Sequence, residues 1–414
     1  MDEIDVPSFF LCPISLQMMK DPVTVCTGIT YDRESIEKWL FSGKNMTCPV
    51  TKIDLSDSEL TPNHTLRRLI QSWCIMNASL GIERIPTPKP PINKTQIQKI
   101  LKDVKSPESQ LNCLRTLRSI AAESETNKRC IETAGAVDFL VSLIVNNIKA
   151  INSETLEAIN DGFDLARTTE EALSTVHNLG LSDAVLKNLV AKNGEFVDSL
   201  TNILQHGSYE SRAYAVILLK SMFEVADPMR LIALGSQFFV ELVELLKDNI
   251  SPQASKSTLQ MLIQLCPWGR NRVKAVEAGA VSVLIELLLD NKERRACEMM
   301  LMALDMLCGS AEGRAELLKH GAGLAVVSKK ILRVSQVGSE KAVRILYSVS
   351  RFSATPGVLH EMLQLGVVAK LCLVIQVDIG SKTKEKAREI LKMHAKTWKN
   401  SPCIPMSLLS SYPA

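Results

Sequence analysis

The sequence has no excess of either charge, no long apolar run and no disulfide-framework spacing, and each absence removes a class of function. Its 48 basic residues stand against 45 acidic ones, a net charge of +3, so nothing in the balance points to nucleic acid or to an anionic surface. No uninterrupted apolar run approaches the ~18–20 residues of a membrane span, and the acidic start MDEIDVPSF lacks the charged and apolar regions of a signal peptide. A cytoplasmic chain without membrane insertion is the expectation. The eleven cysteines are scattered singly, as at Cys266, Cys297 and Cys308 in apolar contexts, which fits reduced thiols. No GxxxxGK[ST] or GxGxxG follows a strand pattern, and no cofactor is expected.

Zinc ligands are missing in a more informative way. Cys12-Pro13-Ile14-Ser15 and Cys48-Pro49-Val50-Thr51 look like two CxxC knuckles in which the second cysteine of each has become a hydroxyl. A tetrahedral structural zinc needs four thiolate or imidazole ligands, so no metal is expected, while the knuckle geometry is expected to survive. Its structural duty falls to hydrogen bonds and ion pairs among groups such as Ser15, Asp21, Arg33, Glu34, Lys44 and Thr51, which sequence cannot pair. Cys12 and Cys48 read as buried structural thiols. Asp32 is the expected N-cap of a helix RESIEKWLF, with Ile36, Trp39 and Leu40 on one side and Gly43 closing it. A second helix is expected from Asn63, with Leu66, Leu69, Ile70 and Trp73 packing back onto the module.

The stretches FFLCPISLQMMKDPV, GITYDRESIEKWL, TCPVTKIDL and TPNHTLRRLIQSW together resemble the U-box, the zinc-free relative of the RING domain found in ubiquitin ligases. The resemblance implies that Ile14, Trp39 and Pro49 form a shallow apolar groove for a ubiquitin-conjugating enzyme (E2). Composition alone reads Ile14 and Trp39 equally as core residues. It also implies that Lys52 bridges E2 and ubiquitin, against the plainer reading of a solvated lysine. Lysine offers a point charge where arginine would offer a planar fork.

After this module, Pro86, Pro88, Pro90 and Pro91 forbid a continuing helix. One phrase then recurs six times around Gly135, Gly194, Gly235, Gly279, Gly321 and Gly366, at intervals of 59, 41, 44, 42 and 45 residues. All but the first interval sit near the ~40–47 residues of armadillo or HEAT repeats, and an insertion at 148–168, expected as a long surface loop, accounts for the exception. Apolar residues follow the glycine at offsets of two, five, six and nine in the copies at Gly135, Gly279 and Gly366. The Gly235 copy needs a two-residue slip, and the Gly321 copy puts Lys330 at the last offset. All six glycines are expected to serve sharp inter-helix turns.

The expected fold class is mainly α: a small α+β U-box at 5–79, RING-like and zinc-free, a proline linker at 80–93, an all-α armadillo-repeat superhelix of about six to seven repeats at 94–400, and a tail at 401–414. The chain as a whole resembles plant U-box proteins with armadillo repeats, particularly the branch linked to defence and stress. That resemblance implies an E3 ubiquitin ligase that supplies no nucleophile, with E2 and ubiquitin as partners of the U-box and a protein substrate on the repeats; homo- or hetero-oligomerisation is left open. A non-catalytic adaptor is disfavoured by the intact Ile14, Trp39 and Pro49 set. A nuclear-import-like receptor is disfavoured because only Trp268 and Trp398 follow the linker, too few for a tryptophan ladder.

The hydroxyl-for-thiol argument yields a first prediction. Elemental analysis of the purified chain should find far less than stoichiometric zinc, and chelation should leave its thermal unfolding unchanged. Stoichiometric zinc with loss of fold on chelation would overturn it.

Overall fold

A computed structural model of the chain describes residues 6–42, 45–55, 60–87, 92–104, 107–152, 159–192, 194–232, 234–399 and 412. Gly43, Lys44, Pro88, Pro90, Pro91 and all of the expected tail except Tyr412 lie outside the described residues. The chain divides into two compact units, Met1–Leu181 and Ser182–Ala414. The division falls within the helical repeats rather than at the proline linker.

The first unit begins with a three-stranded antiparallel sheet. Strand β1 (Pro22–Thr24) lies between β2 (Thr30–Asp32) and β3 (Thr61–Pro62). Val23 faces Tyr31 on one side and Pro62 on the other. Helix α1 (Arg33–Glu37) starts directly from β2 and continues as a π turn over Lys38–Ser42, which carries Trp39. Helix α2 (His64–Met76) is capped by Asn63, whose side chain accepts from the Leu66 amide. Val23, Tyr31, Ile36, Leu55, Ile70 and Cys74 form the centre of the core, each at most 2% exposed.

Two local expectations change. Asp32 does sit at the N-cap position of α1, but its side chain caps nothing there. Its carboxylate instead accepts from the Lys20 and Asp21 amides at 2.7 and 2.9 Å, satisfying the backbone of the turn that enters β1. Leu69 does not pack back: it is 52% exposed, and α2 buries Ile70 and Cys74 instead. A spacing of four residues keeps that pair on one narrow stripe, and Leu69 lies beside it.

Two helices, Lys94–Asp103 and Pro107–Glu123, are followed by helices that recur as triplets. The first triplet is Glu125–Thr133, Ala136–Asn152 and Ile159–Leu179, in the same unit as the sheet. In the second unit, one triplet is Gly269–Glu277, Ala280–Asp290 and Arg294–Leu307, and the next is Ala311–Lys319, Gly323–Lys330 and Gln336–Phe352. Serine or threonine caps many helix starts. Ser124, Ser251, Ser310, Ser335 and Thr355 each accept from an amide three residues on, which satisfies a donor that the helix cannot. The third helices pack in a row, Tyr209–Glu224 on Pro252–Leu265, then on Arg294–Leu307, Gln336–Phe352 and Ser381–Met393.

Polar side chains join successive repeats in the second unit. Asn271 donates to the Leu231 carbonyl at 2.8 Å, Gln264 to Phe223 at 2.7 Å, and Ser348 to Cys308 at 2.8 Å. Lys330, the misfit of the Gly321 copy, donates to the Asn291 carbonyl at 2.8 Å. Its charge lies on a carbonyl of the preceding repeat, while the neighbouring Ile331 takes the buried place at 2% exposure.

The surface loop expected at 148–168 is largely helix. Residues up to Asn152 extend one helix and those from Ile159 begin the next, with 153–158 outside the described residues. The extra turns are held by packing of the two helices on each other and by buried Asn147, which donates to Thr169 at 3.2 Å. A polar composition there reflects buried hydrogen bonding rather than a solvated loop.

The glycine expectation also narrows. Only Gly135, Gly279 and Gly366 of the six adopt positive φ, at 83°, 88° and 70°, and these are the three copies that keep the full apolar offsets. Gly235 has φ −69° at the start of Ser236–Asp248; Phe239, Leu242, Val243 and Leu246 are buried there, two positions out of register. In the Gly321 copy the close approach occurs at Gly323, where an added Cβ would lie 2.0 Å from the Leu317 carbonyl oxygen. Denaturation should therefore separate the copies. Gly279→Ala should cost about 1–2 kcal/mol, whereas Gly235→Ala, at an extended N-cap, should cost about 1 kcal/mol or less.

Candidate E2-docking site

The two knuckles fold alike. In the first, the Leu16 amide donates to the Cys12 carbonyl at 2.8 Å and the Cys12 amide to Gln17 at 2.8 Å. In the second, Lys52 donates to Cys48 at 2.9 Å and Cys48 to Ile53 at 2.8 Å. Each loop closes on an isolated bridge, Leu11 with Met18 and Thr47 with Asp54. At the equivalent closing positions Leu16 and Lys52 both take left-handed backbone, φ 56° and 59°.

Each buried sulfur anchors its loop. Cys12 Sγ accepts from the Asp32 amide at 3.3 Å. Burial pushes its thiol pKa up, but hydrogen bonds from the Ser15 and Asp32 backbone, from Ile14 and from the Ser15 side chain outweigh this and lower it. Cys48 Sγ meets the Tyr31 hydroxyl at 3.1 Å and accepts from Thr27 at 3.4 Å. Burial again opposes ionisation, yet bonds from Thr27, Thr51 and Tyr31 bring its pKa down to about 6. Burial, and then the bond to Cys48, push the Tyr31 phenol up. The Val50 amide also donates to the Tyr31 hydroxyl, so one buried tyrosine ties β2 to the second knuckle.

Of the residues expected in the polar network, Ser15 and Thr51 lie at the sulfurs, and Asp21 and Arg33 form a 2.6 Å ion pair that is mostly buried. Arg67 lies 3.8 Å from Asp21 and Glu37 lies 3.8 Å from Arg33. Glu34 stands outside this cluster, pairing with Lys38 at 2.6 Å on the solvent side, where such a pair contributes little. Lys44 lies outside the described residues. Sequence reasoning missed Thr27, Tyr31, Glu37 and Arg67, whose parts depend on partners distant in the chain.

Ile14, Trp39 and Pro49 are all half-buried, and Ile14 and Trp39 rest on the core cluster. The Trp39 indole donates to the Thr47 carbonyl at 2.8 Å, which orients the ring toward the second knuckle. Lys52 Nζ lies 5.7 Å from the centre of that ring. Leu16, Val50 and Ile53, not singled out from sequence, are 75%, 52% and 59% exposed on the same two loops. Exposed apolar residues on a surface loop were the available signal.

Glu37, 2% exposed, reaches beyond the module. It accepts from the Glu125 amide at 3.1 Å, the Thr126 amide at 3.4 Å and the Thr126 hydroxyl. A carboxylate thus occupies the start of the first repeat helix, Glu125–Thr133, where unpaired amides and the helix dipole favour negative charge.

Comparison with known proteins agrees with this division. Residues 6–79 match the U-box domain, and residues 96–414 match the plant U-box protein ARM repeat region. The chain is 57% identical to E3 ubiquitin-protein ligase PUB23 of Arabidopsis thaliana, over all of this chain and 98% of that protein. It is 57% identical to PUB22 of the same plant, over all of this chain and 99% of that protein, and 37% identical to PUB24 over 99% and 96%. With both family matches in chain order and these identities running end to end, the chain belongs to the plant U-box proteins with armadillo repeats, a family of E3 ubiquitin ligases.

Proposed function

We propose that the surface of Ile14, Trp39 and Pro49, widened by Leu16, Val50 and Ile53, receives the loops of a ubiquitin-loaded E2, and that the armadillo repeats recruit the protein substrate. The observation that carries the first part is the pair of left-handed closures at Leu16 and Lys52. Glycine would meet the backbone requirement without strain, whereas a side chain there costs on the order of 1 kcal/mol. A leucine 75% exposed makes little contact within the chain to offset that cost, which fits a side chain retained for a partner.

The reaction then asks for positioning rather than covalent chemistry. A substrate amine attacks the thioester carbonyl on the E2, and the ligase contributes by holding donor and acceptor in reactive geometry. On this reading Lys52, which lies beside Trp39, bridges E2 and ubiquitin as a point charge. Neither knuckle sulfur is available to carry ubiquitin: Cys12 and Cys48 are fully buried and serve their loops. Work in the cytoplasm belongs to the same reading, and a part in defence or stress signalling rests on the family resemblance. Localisation of a fluorescent fusion and infection or drought phenotypes of a null line would test those two parts.

Two outcomes follow. Trp39→Ala or Ile14→Ala should abolish autoubiquitination in a reconstituted E1–E2 reaction while leaving helical content intact; loss of a central anchor costs on the order of 2 kcal/mol, roughly thirtyfold in affinity. Full activity in both variants would remove the assignment. Deleting the repeats from Thr95 onward should preserve discharge of a loaded E2 to free amines but end modification of a physiological substrate. Unchanged substrate modification by the first module alone would show that the repeats are not the reader.

A further inference from the structure

On the row of third helices, Gln336–Phe352 buries Val343, Leu346 and Val349 and turns Arg344, Tyr347 and Arg351 outward. Spacings of three and four place these on one stripe. Arg344 is neutralised by Asp305 of the preceding third helix at 3.1 Å. The cations further along are held differently. Lys386, from the following third helix, sits 4.2 Å from the centre of the Tyr347 ring. Arg351 lies 5.9 Å from the same ring, donates to the Tyr347 hydroxyl at 2.8 Å, and lies 5.4 Å from Phe352. Phe352 is 62% exposed.

Among the described residues, neither Arg351 nor Lys386 has a carboxylate within ion-pairing distance. Other cations on the row are ion-paired: Arg212 with Asp248, Lys220 with Glu224 and Arg294 with Glu298. Here aromatic rings order the two cations, and the carboxylate of Asp305 acts on Lys386 only from beyond ion-pairing distance. A cation held on a ring loses less freedom when an anion arrives, and a guanidinium offers further donors for charge-assisted bonds.

We propose that this stripe, as part of the substrate-reading surface assigned above, binds an extended acidic segment of a partner protein, with carboxylates on Arg351 and Lys386 and an apolar side chain against Phe352. Charge complementarity selects the sign. Arg351 and Phe352 neighbour each other on one third helix and Lys386 comes from the next, so a segment running across the two helices meets all three. The proposal depends on the repeats being the reader, and it names the chemistry that they read.

The test uses the full chain and a fluorescein-labelled peptide with glutamate at every third position among serine and leucine, followed by fluorescence anisotropy. Binding should weaken with added salt, and an Arg351→Glu/Lys386→Glu variant should lose roughly tenfold or more in affinity. The lysine counterpart of the peptide should not bind. Discharge of a loaded E2 should be unchanged in the variant, which controls for folding; if the charge reversal does not fold, Arg351→Gln/Lys386→Gln takes its place. Equal binding of the lysine peptide, tighter binding of a single-stranded oligonucleotide, or wild-type affinity in the folded variant would each overturn the assignment. Should the variant bind normally while repeat deletion still ends substrate modification, the stripe is wrong and the reader stands. Should repeat deletion leave substrate modification intact, the reader itself is wrong.

Discussion

Two buried sulfur atoms set the geometry on which the ligase module depends. Cys12 and Cys48 each sit beneath a loop whose backbone closes on itself within a few residues. Each draws hydrogen bonds from parts of the chain far away in sequence: the Asp32 amide for one, Thr27 and Tyr31 for the other. A structural zinc contributes on the order of 10 kcal/mol to a small fold, whereas a single hydrogen bond contributes about 1 kcal/mol net. The sulfur bonds therefore aim the loops, while burial of residues such as Val23, Ile36, Leu55 and Ile70 supplies most of the stability. Ile14 and Pro49 lie inside those loops, and Leu16 and Lys52 close them, so the proposed docking surface inherits its shape from the sulfurs.

Glu37 extends this order into the repeats. It lies on the helix that leads into Trp39, pairs loosely with Arg33, and accepts the first amides of Glu125–Thr133. A buried carboxylate is tolerable only with such partners. The contact therefore ties the helix that leads into Trp39 to Glu125–Thr133 by more than the proline-containing connection.

The sequence displays what local periodicity can carry and conceals what distant contacts decide. Ile36, Asn63 and the offsets after Gly135, Gly279 and Gly366 could be placed because each follows a short-range rule of helix faces or caps. Asp32 could not: its spacing suited an N-cap, and only the folded turn at Lys20 and Asp21 shows where its carboxylate goes. The insertion at 148–168 was read as a loop because the stretch is polar and non-periodic, whereas Thr168 inside it and the flanking Asn147 and Thr169 are buried between the two helices. Within the docking site, Ile14, Trp39 and Pro49 came from motif resemblance, while Leu16, Val50 and Ile53 needed an accessible surface to be noticed. The sulfur ligands Tyr31 and Thr27 lie 17 and 21 residues from Cys48, beyond any pattern based on adjacency.

The bonds that one repeat sends back to its predecessor give the second unit a grammar of completeness. Asn271, Gln264, Lys330 and Ser348 each fill a carbonyl that its own repeat leaves open about forty residues earlier. A chain cut inside this array would end on a repeat with unanswered carbonyls and a bare apolar face. Such a fragment would be exposed to the cell's own quality control, so a nonsense mutation late in the repeats should act through loss of the polypeptide as much as through loss of the surface it encodes.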